Sequence, residues 1–259
     1  MTVNFKKNNI MEKIPSPIET IFLLLDEHKI LYWLDACSLL KGVREQDILS
    51  SSDIDIATTS KSTHNLLEVV RALESLGYYI NFQGGFPMFE DLIQITLPKK
   101  FNRIDLFEIY VYHEHDGNYI RRSPHKPIQD TLSKYLFSLS KKILIKEKNR
   151  QLGQPISHLS EIARKTASKL IFLSYEIFGT TMWSIVPSKF FDNFTSININ
   201  GRIFKIPALY KEYLKFRYGN NWEIPLDRKE WYKSWSKGET DFLKRRRLIK
   251  YLKISKFWL

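Results

Sequence analysis

The stretch that most constrains this chain of 259 residues runs from Leu34 to Ala57, LDACSLLKGVREQDILSSSDIDIA. In Asp53-Ile54-Asp55-Ile56 the alternation has period two, so a strand projects both carboxylates from one face and both isoleucines from the other. Two carboxylates on one face suit a divalent cation. Magnesium takes hard oxygen ligands, usually one or two carboxylates together with substrate phosphates and water, so the pair needs one more acid nearby. Asp105 is the best candidate, within the strand-like alternation Arg103-Ile104-Asp105-Leu106-Phe107. Upstream, Leu31 to Asp35 reads as a short apolar strand. Ala36, Cys37 and Ser38 follow, small enough to let backbone N–H groups approach a phosphate where the next helix starts. An acid-x-acid pair is common on solvated sheet faces. The turn before the pair and the third acid after it together carry the inference.

Ser16-Pro17-Ile18-Glu19 has the form of a capping box with proline at the first helical position, and Ile21, Leu24 and Leu25 continue at helical spacing, predicting a helix over 17–29. A strand at 30–35 and a helix from Ser38 to about Gln46 come next. That helix places Arg44 near its end, facing either solvent or the phosphates. Leu66, Leu67, Val70 and Leu73 predict a helix over 62–76 closed by Gly77. Strands follow at 78–82, 88–97 and 103–112, with Gly84-Gly85 and Asn102 at turns. His113-Glu114-His115-Asp116 has the composition of a metal cluster, but Gly117-Asn118 directly after it favours an exposed hairpin turn. From Ile128 the pattern turns helical and basic, Pro155 interrupts it, and a second helix is expected over 159–178. In the aromatic-rich stretch 182–225, Trp183, Phe190, Phe191, Tyr210, Tyr213, Tyr218 and Trp222 are expected to pack a subdomain, with one or two available to stack on a base or sugar.

The length suffices for a sizeable core, and the lone Cys37 excludes an intramolecular disulfide. Cys37 reads as a small structural residue of the turn. No stretch approaches the roughly 20 apolar residues that span a bilayer, and the opening MTVNFKKNNI lacks the apolar core of a signal peptide. The expectation is a cytoplasmic protein, soluble or peripheral at the inner face of a membrane. A net charge of +12 favours an anionic partner without choosing among nucleotide, phosphorylated glycan, nucleic acid and lipid surface. The tail over 244–258, with Arg245, Arg246 and Arg247 among apolar residues, suits either an anionic membrane surface or a helix covering the core.

The order of apolar strand, small-residue turn, D-h-D-h strand and later h-D-h strand resembles the nucleotidyltransferase fold, and the segment is particularly similar to the LicD/fukutin family. In that family a turn like G-G-T-L-L-G-x-x-R precedes an acidic D-x-D. Ala36, Cys37, Ser38, Leu39, Leu40, Lys41 and Arg44 occupy the equivalent places. Neither glycine of the doublet is kept, Gly42 stands one place after the third, and Ser50-Ser51-Ser52 precedes the acids as on the fukutin side. A second match, Gly201-Arg202-Ile203-Phe204-Lys205-Ile206-Pro207 followed by Tyr210, Tyr213, Leu214, Tyr218, Gly219, Trp222 and Pro225, is similar to the family's C-terminal signature.

The resemblance implies an α+β fold in which a nucleotidyltransferase-like mixed sheet is flanked by helices. A catalytic core over 1–125 would be followed by a helical, aromatic-rich region over 126–259 packed on it. It further implies transfer of a phosphate-linked group, phosphocholine or a phospho-alditol such as ribitol phosphate, from a CDP-activated donor to a hydroxyl of a glycan or glycolipid, releasing CMP. Nucleic acid is not the expected partner. Asp53, Asp55 and Asp105 are then the expected catalytic and metal-holding residues for Mg2+ or Mn2+, and Ala36, Cys37, Ser38 and Arg44 the donor-binding ones. The competing readings are a nucleotidyltransferase that attaches a nucleotide from an NTP to RNA, a protein or a small molecule, and a binding protein whose site has decayed along with the glycine doublet.

Overall fold

In the computed structural model, which describes residues 16–82, 92–101, 104–123, 182–225 and 240–241 with Tyr135, Ile162 and Thr166, the helical spacing of the N-terminal segment produces α1 (Ser16–Glu27). Ile18, Ile21, Phe22 and Leu25 form its inward stripe and are fully buried. After β1 (Tyr32–Leu34), helix α2 (Ala36–Glu45) begins two residues earlier than expected, so the small residues Ala36, Cys37 and Ser38 form its first turn. Ala36 has φ 44, in the left-handed region where glycine is at ease and alanine is strained. The alternating acids and isoleucines open β2 (Asp53–Thr59). α3 (Thr63–Ser75) buries Leu66, Val69, Val70 and Leu73, and Gly77, at φ 89, lets the chain leave it.

β3 (Tyr79–Phe82), β4 (Leu92–Phe101) and β5 (Ile104–His115) follow. Asp116 and Gly117 then turn the chain into β6 (Asn118–Ser123), the hairpin anticipated at His113 to Asn118. Glu114 pairs there with Lys61 at 2.6 Å. Farther on come β7 (Met182–Pro187), a hairpin of β8 (Phe194–Ile199) and β9 (Arg202–Pro207), the helix α4 (Tyr210–Tyr218) and the short β10 (Thr240–Asp241). The expected turn at Gly84-Gly85 and the basic tail over 244–258 lie outside the described residues, as do the helical stretches expected from Ile128 and over 159–178 apart from Tyr135, Ile162 and Thr166, which are helical.

The main sheet is mixed. β2 and β5 run parallel with Asp53 opposite Leu106 and Asp55 opposite Glu108, while β1 joins β2, and β4 and β6 join β5, antiparallel. Strand β7 pairs with β6 from Asn118↔Pro187 to Ser123↔Met182, so the C-terminal half of the chain contributes to the same sheet as the N-terminal half.

One sheet face carries Ile54, Ile56, Phe107 and Ile109 and is covered by α1, where Phe22 meets Phe107 edge-on at 5.2 Å. The opposite face carries Trp33, Asp53, Asp55, Glu108, Tyr110 and Tyr112. Over it lies an aromatic layer in which Phe191 touches Trp33 at 4.8 Å and Tyr213 at 5.2 Å between ring centroids. The expected packing roles of Phe190, Phe191, Tyr213 and Tyr218 hold, since all four are buried in the core. Among the described residues, no helix is long and apolar enough to cross a membrane.

Candidate metal centre

β2 and β5 lie side by side in parallel, and their register decides which acids meet. With Asp55 opposite Glu108, the pleat sends Asp53, Asp55 and Glu108 to the same face, where ligand atoms of all three lie within 4.8 Å of one another. Asp105 is the correction to the expected triad. It shares the parity of Phe107, so its side chain belongs to the α1-covered face, and its backbone N–H donates to Ser52 O at 3.4 Å. The third acid of the cluster is Glu108.

Asp55 and Glu108 are buried, whereas Asp53 is half-buried and opens the cluster toward solvent. The surroundings hold the acids in place. The Tyr110 hydroxyl lies 3.0 Å from Glu108 Oε2 and 3.4 Å from Asp55 Oδ1, Gln94 Nε2 donates to Glu108 Oε1, and Ser52 Oγ donates to Asp53 Oδ1 at 3.1 Å. Burial, the neighbouring Glu108 and Asp53 push the Asp55 carboxyl well above the usual range. Burial and Asp53 likewise raise Glu108. Three hard oxygen donors converging on one point are a donor set that a divalent cation such as magnesium or manganese accepts.

The start of α2 is bonded to Asp55. The Cys37 N–H donates to Asp55 Oδ2 at 3.0 Å, and the fully buried Ser38 hydroxyl accepts the Asp55 N–H at 2.8 Å. The Cys37 N–H therefore holds a carboxylate of the protein itself, in the manner in which a helix start holds a bound anion, while Ser38 holds the Asp55 backbone. Cys37 is partly buried, and burial followed by the charges of Asp55 and Asp53 raises its thiol. That makes it a poor nucleophile and fits the structural role expected of it. Arg44 ion-pairs with its neighbour Glu45 at the far end of α2, about 12 Å along the helix from Ala36 at 1.5 Å per residue. The structure does not bring it to the acids.

Two arginines that the sequence did not single out for the site do come close. Arg217 of α4 is fully buried and donates from Nη1 to Asp35 Oδ1 at 2.7 Å; Asp35, the residue before α2, is also fully buried. Arg121 of β6, 2% exposed, stacks on the Tyr110 ring with its Cζ 4.4 Å from the centroid. The stretch from Gly201 to Pro225 contacts the N-terminal part of the chain. Its Arg202 reaches Glu19 and Asp26 of α1 and covers the Phe22 ring at 4.7 Å, while its Tyr213 donates to Asp35 at 2.7 Å.

The chain matches no family model and no curated protein. Among solved structures, a match is found to the solution structure of the antibiotic-resistance factor ANT(2'')-Ia, at 11% identity and a TM-score of 0.29, covering 63% of this chain and 89% of that one.

Proposed function

We propose that the chain is a divalent-cation-dependent transferase of LicD/fukutin type built on a nucleotidyltransferase-like fold. It would move a phosphate-linked group, phosphocholine or a phospho-alditol, from a CDP-activated donor to a hydroxyl of a glycan or glycolipid, releasing CMP. The observation that carries the reading is the convergence of Asp53, Asp55 and Glu108 on one sheet face with a half-buried opening at Asp53. These three residues would hold magnesium or manganese. When bound, the cation supplies charge neutralisation at phosphorus, which phosphoryl transfer requires more than covalent help.

The protein's own groups have assignable parts. Tyr110 and Gln94 keep Glu108 in its rotamer, and the Cys37 N–H keeps one oxygen of Asp55 turned from the neighbouring strand toward α2. Lys41, four residues after Cys37 on α2 and donating from Nζ to the Ser50 carbonyl at 3.2 Å, would meet donor phosphates. Intact acids speak against a decayed binding protein.

The test incubates the protein with magnesium and, separately, CDP-choline, CDP-ribitol, CDP-glycerol and nucleoside triphosphates in the presence of glycan acceptors. CMP release from a CDP-linked donor is the expected result. Pyrophosphate from a triphosphate instead would convert the reading to strict nucleotidyl transfer, and no turnover together with no cation binding would overturn both.

A further inference from the structure

Asp35 has no exposed surface, and its carboxylate accepts from three side chains. Oδ1 receives Arg217 Nη1 at 2.7 Å and the Tyr213 hydroxyl at 2.7 Å, and Oδ2 receives the Tyr112 hydroxyl at 3.0 Å. Arg217 Nη1 is also 2.8 Å from the Tyr213 hydroxyl, which closes a small ring of donors and acceptors. The backbone of Asp35 is tied to the acid cluster as well, since its N–H donates to the Asp55 carbonyl at 3.2 Å. Two residues later the Cys37 N–H donates to the Asp55 carboxylate. One carboxylate and one turn therefore connect a helix at residue 217 with a strand at residue 55.

A buried ion pair is weak evidence for stabilisation, because well-packed apolar residues of similar size often serve as well, whereas removing one partner strands the other charge. At Asp55 the two charges act in opposite senses, Arg217 lowering and Asp35 raising its proton affinity. What the pair supplies is direction. A hydrogen-bonded carboxylate with three donors leaves the turn at Ala36 one position to occupy, and that turn carries the N–H aimed at Asp55.

We propose that Arg217 and Tyr213 are positioning residues for the cation site, which act through the Asp35 carboxylate to fix the start of α2 and thereby the Asp55 carboxylate. This rests on the reading that Asp53, Asp55 and Glu108 hold a divalent cation. It assigns to the Tyr213–Arg217 part of the C-terminal signature a task at the site instead of a task in the core alone. Residues that orient a metal ligand without touching the metal change metal affinity by about 10- to 100-fold when lost.

The experiment measures Mn2+ affinity of the full chain by electron paramagnetic resonance, with folding followed by circular dichroism and thermal melting. Arg217→Met, which removes the guanidinium from Asp35 Oδ1, should weaken Mn2+ by about tenfold or more while the protein is still folded. Tyr213→Phe removes one donor without stranding a charge and should also weaken it. The pair Arg217→Gln with Asp35→Asn, which keeps hydrogen bonding and cancels both charges, should recover most of the loss. If Tyr213→Phe and whichever Arg217 variants fold melt at lower temperature yet bind Mn2+ as the intact chain does, Arg217 and Tyr213 are core residues and the proposal is wrong. Should the intact chain itself fail to bind Mn2+, the underlying metal reading falls first.

Discussion

The backbone N–H of Asp55 donates to the Ser38 hydroxyl at 2.8 Å across 17 residues of chain, and both groups are shielded from water. Ser38→Ala therefore leaves a buried N–H without its acceptor and should cost about 1–3 kcal/mol of folding stability. Urea unfolding checks it. A Ser38→Ala protein as stable as the intact chain would mean that the N–H finds another acceptor and that the turn is not held by this bond.

The acids should separate by sheet face. Asp53→Asn, Asp55→Asn and Glu108→Gln are each expected to abolish or sharply weaken Mg2+ binding in calorimetry, whereas Asp105→Asn, on the face covered by α1, should bind nearly as well as the intact chain. Equal loss in Asp105→Asn would move the cation to a different set of residues.

The shifted acids give the cation-free protein a two-sided pH dependence. Asp55 and Glu108 have folded pKa values raised above their unfolded ones of about 3.9 and 4.3, so their contribution is fully present below those values and is lost as pH rises through the folded ones. Asp35 has the opposite sign. Burial alone would raise it, but the Arg217 charge and the Tyr213 hydroxyl hold it below the usual range, so its contribution is present above about 3.9 and lost as pH falls through the folded value. Thermal melts in chelator should fall as pH rises from about 4, and less so in Glu108→Gln. Magnesium should restore stability at the alkaline end, where the acids have released their protons, and should bind more tightly as pH rises.

Gly42 in α2 is a packing glycine. A Cβ there would lie 2.6 Å from the Cδ1 of Ile199, which is 1% exposed on the β8–β9 hairpin. Overpacking of a filled core costs about 1–3 kcal/mol, against about 1 kcal/mol gained from replacing glycine by alanine inside a helix. Gly42→Ala should therefore be neutral to destabilising alone. In Ile199→Val, which removes Cδ1, the same change should stabilise. A double-mutant cycle with no coupling between the two sites would show that the helix and hairpin do not meet there.

Much of this fold was legible because one-dimensional periodicity encodes local elements. The capping box and the spacing of Ile21, Leu24 and Leu25 pointed to α1, that of Leu66, Val70 and Leu73 to α3, and the alternation at Asp53 to β2 with both acids on one face. The third acid was missed for a physical reason. β5 is buried on both faces, so Ile104-Asp105-Leu106-Phe107-Glu108 carries no clean apolar phase, and which acid faces Asp55 depends on the register with β2. Glu108, two residues before Tyr110 and four before Tyr112, was the available signal, a parity that pairs an acid with hydroxyls. The early start of α2 was hidden because an alanine, not a glycine, occupies the left-handed position. Arg217 reads as a surface residue of a helix until its partner, 182 residues earlier in the chain, is known.

The pairing of β6 with β7 reaches Ser123↔Met182, so two residues far apart in the chain face each other across the ladder. The two ends of the interval 124–181 are therefore pinned about 5 Å apart by the ladder itself. The entropy of closing a chain grows only logarithmically with the residues between the joined points, so the ladder should depend weakly on the length of that interval. A chain in which 124–181 is exchanged for a short Gly-containing turn should still form the β6–β7 ladder, visible as slowly exchanging amides at Ile120 and Ile185, with the acid-bearing strands in the same register.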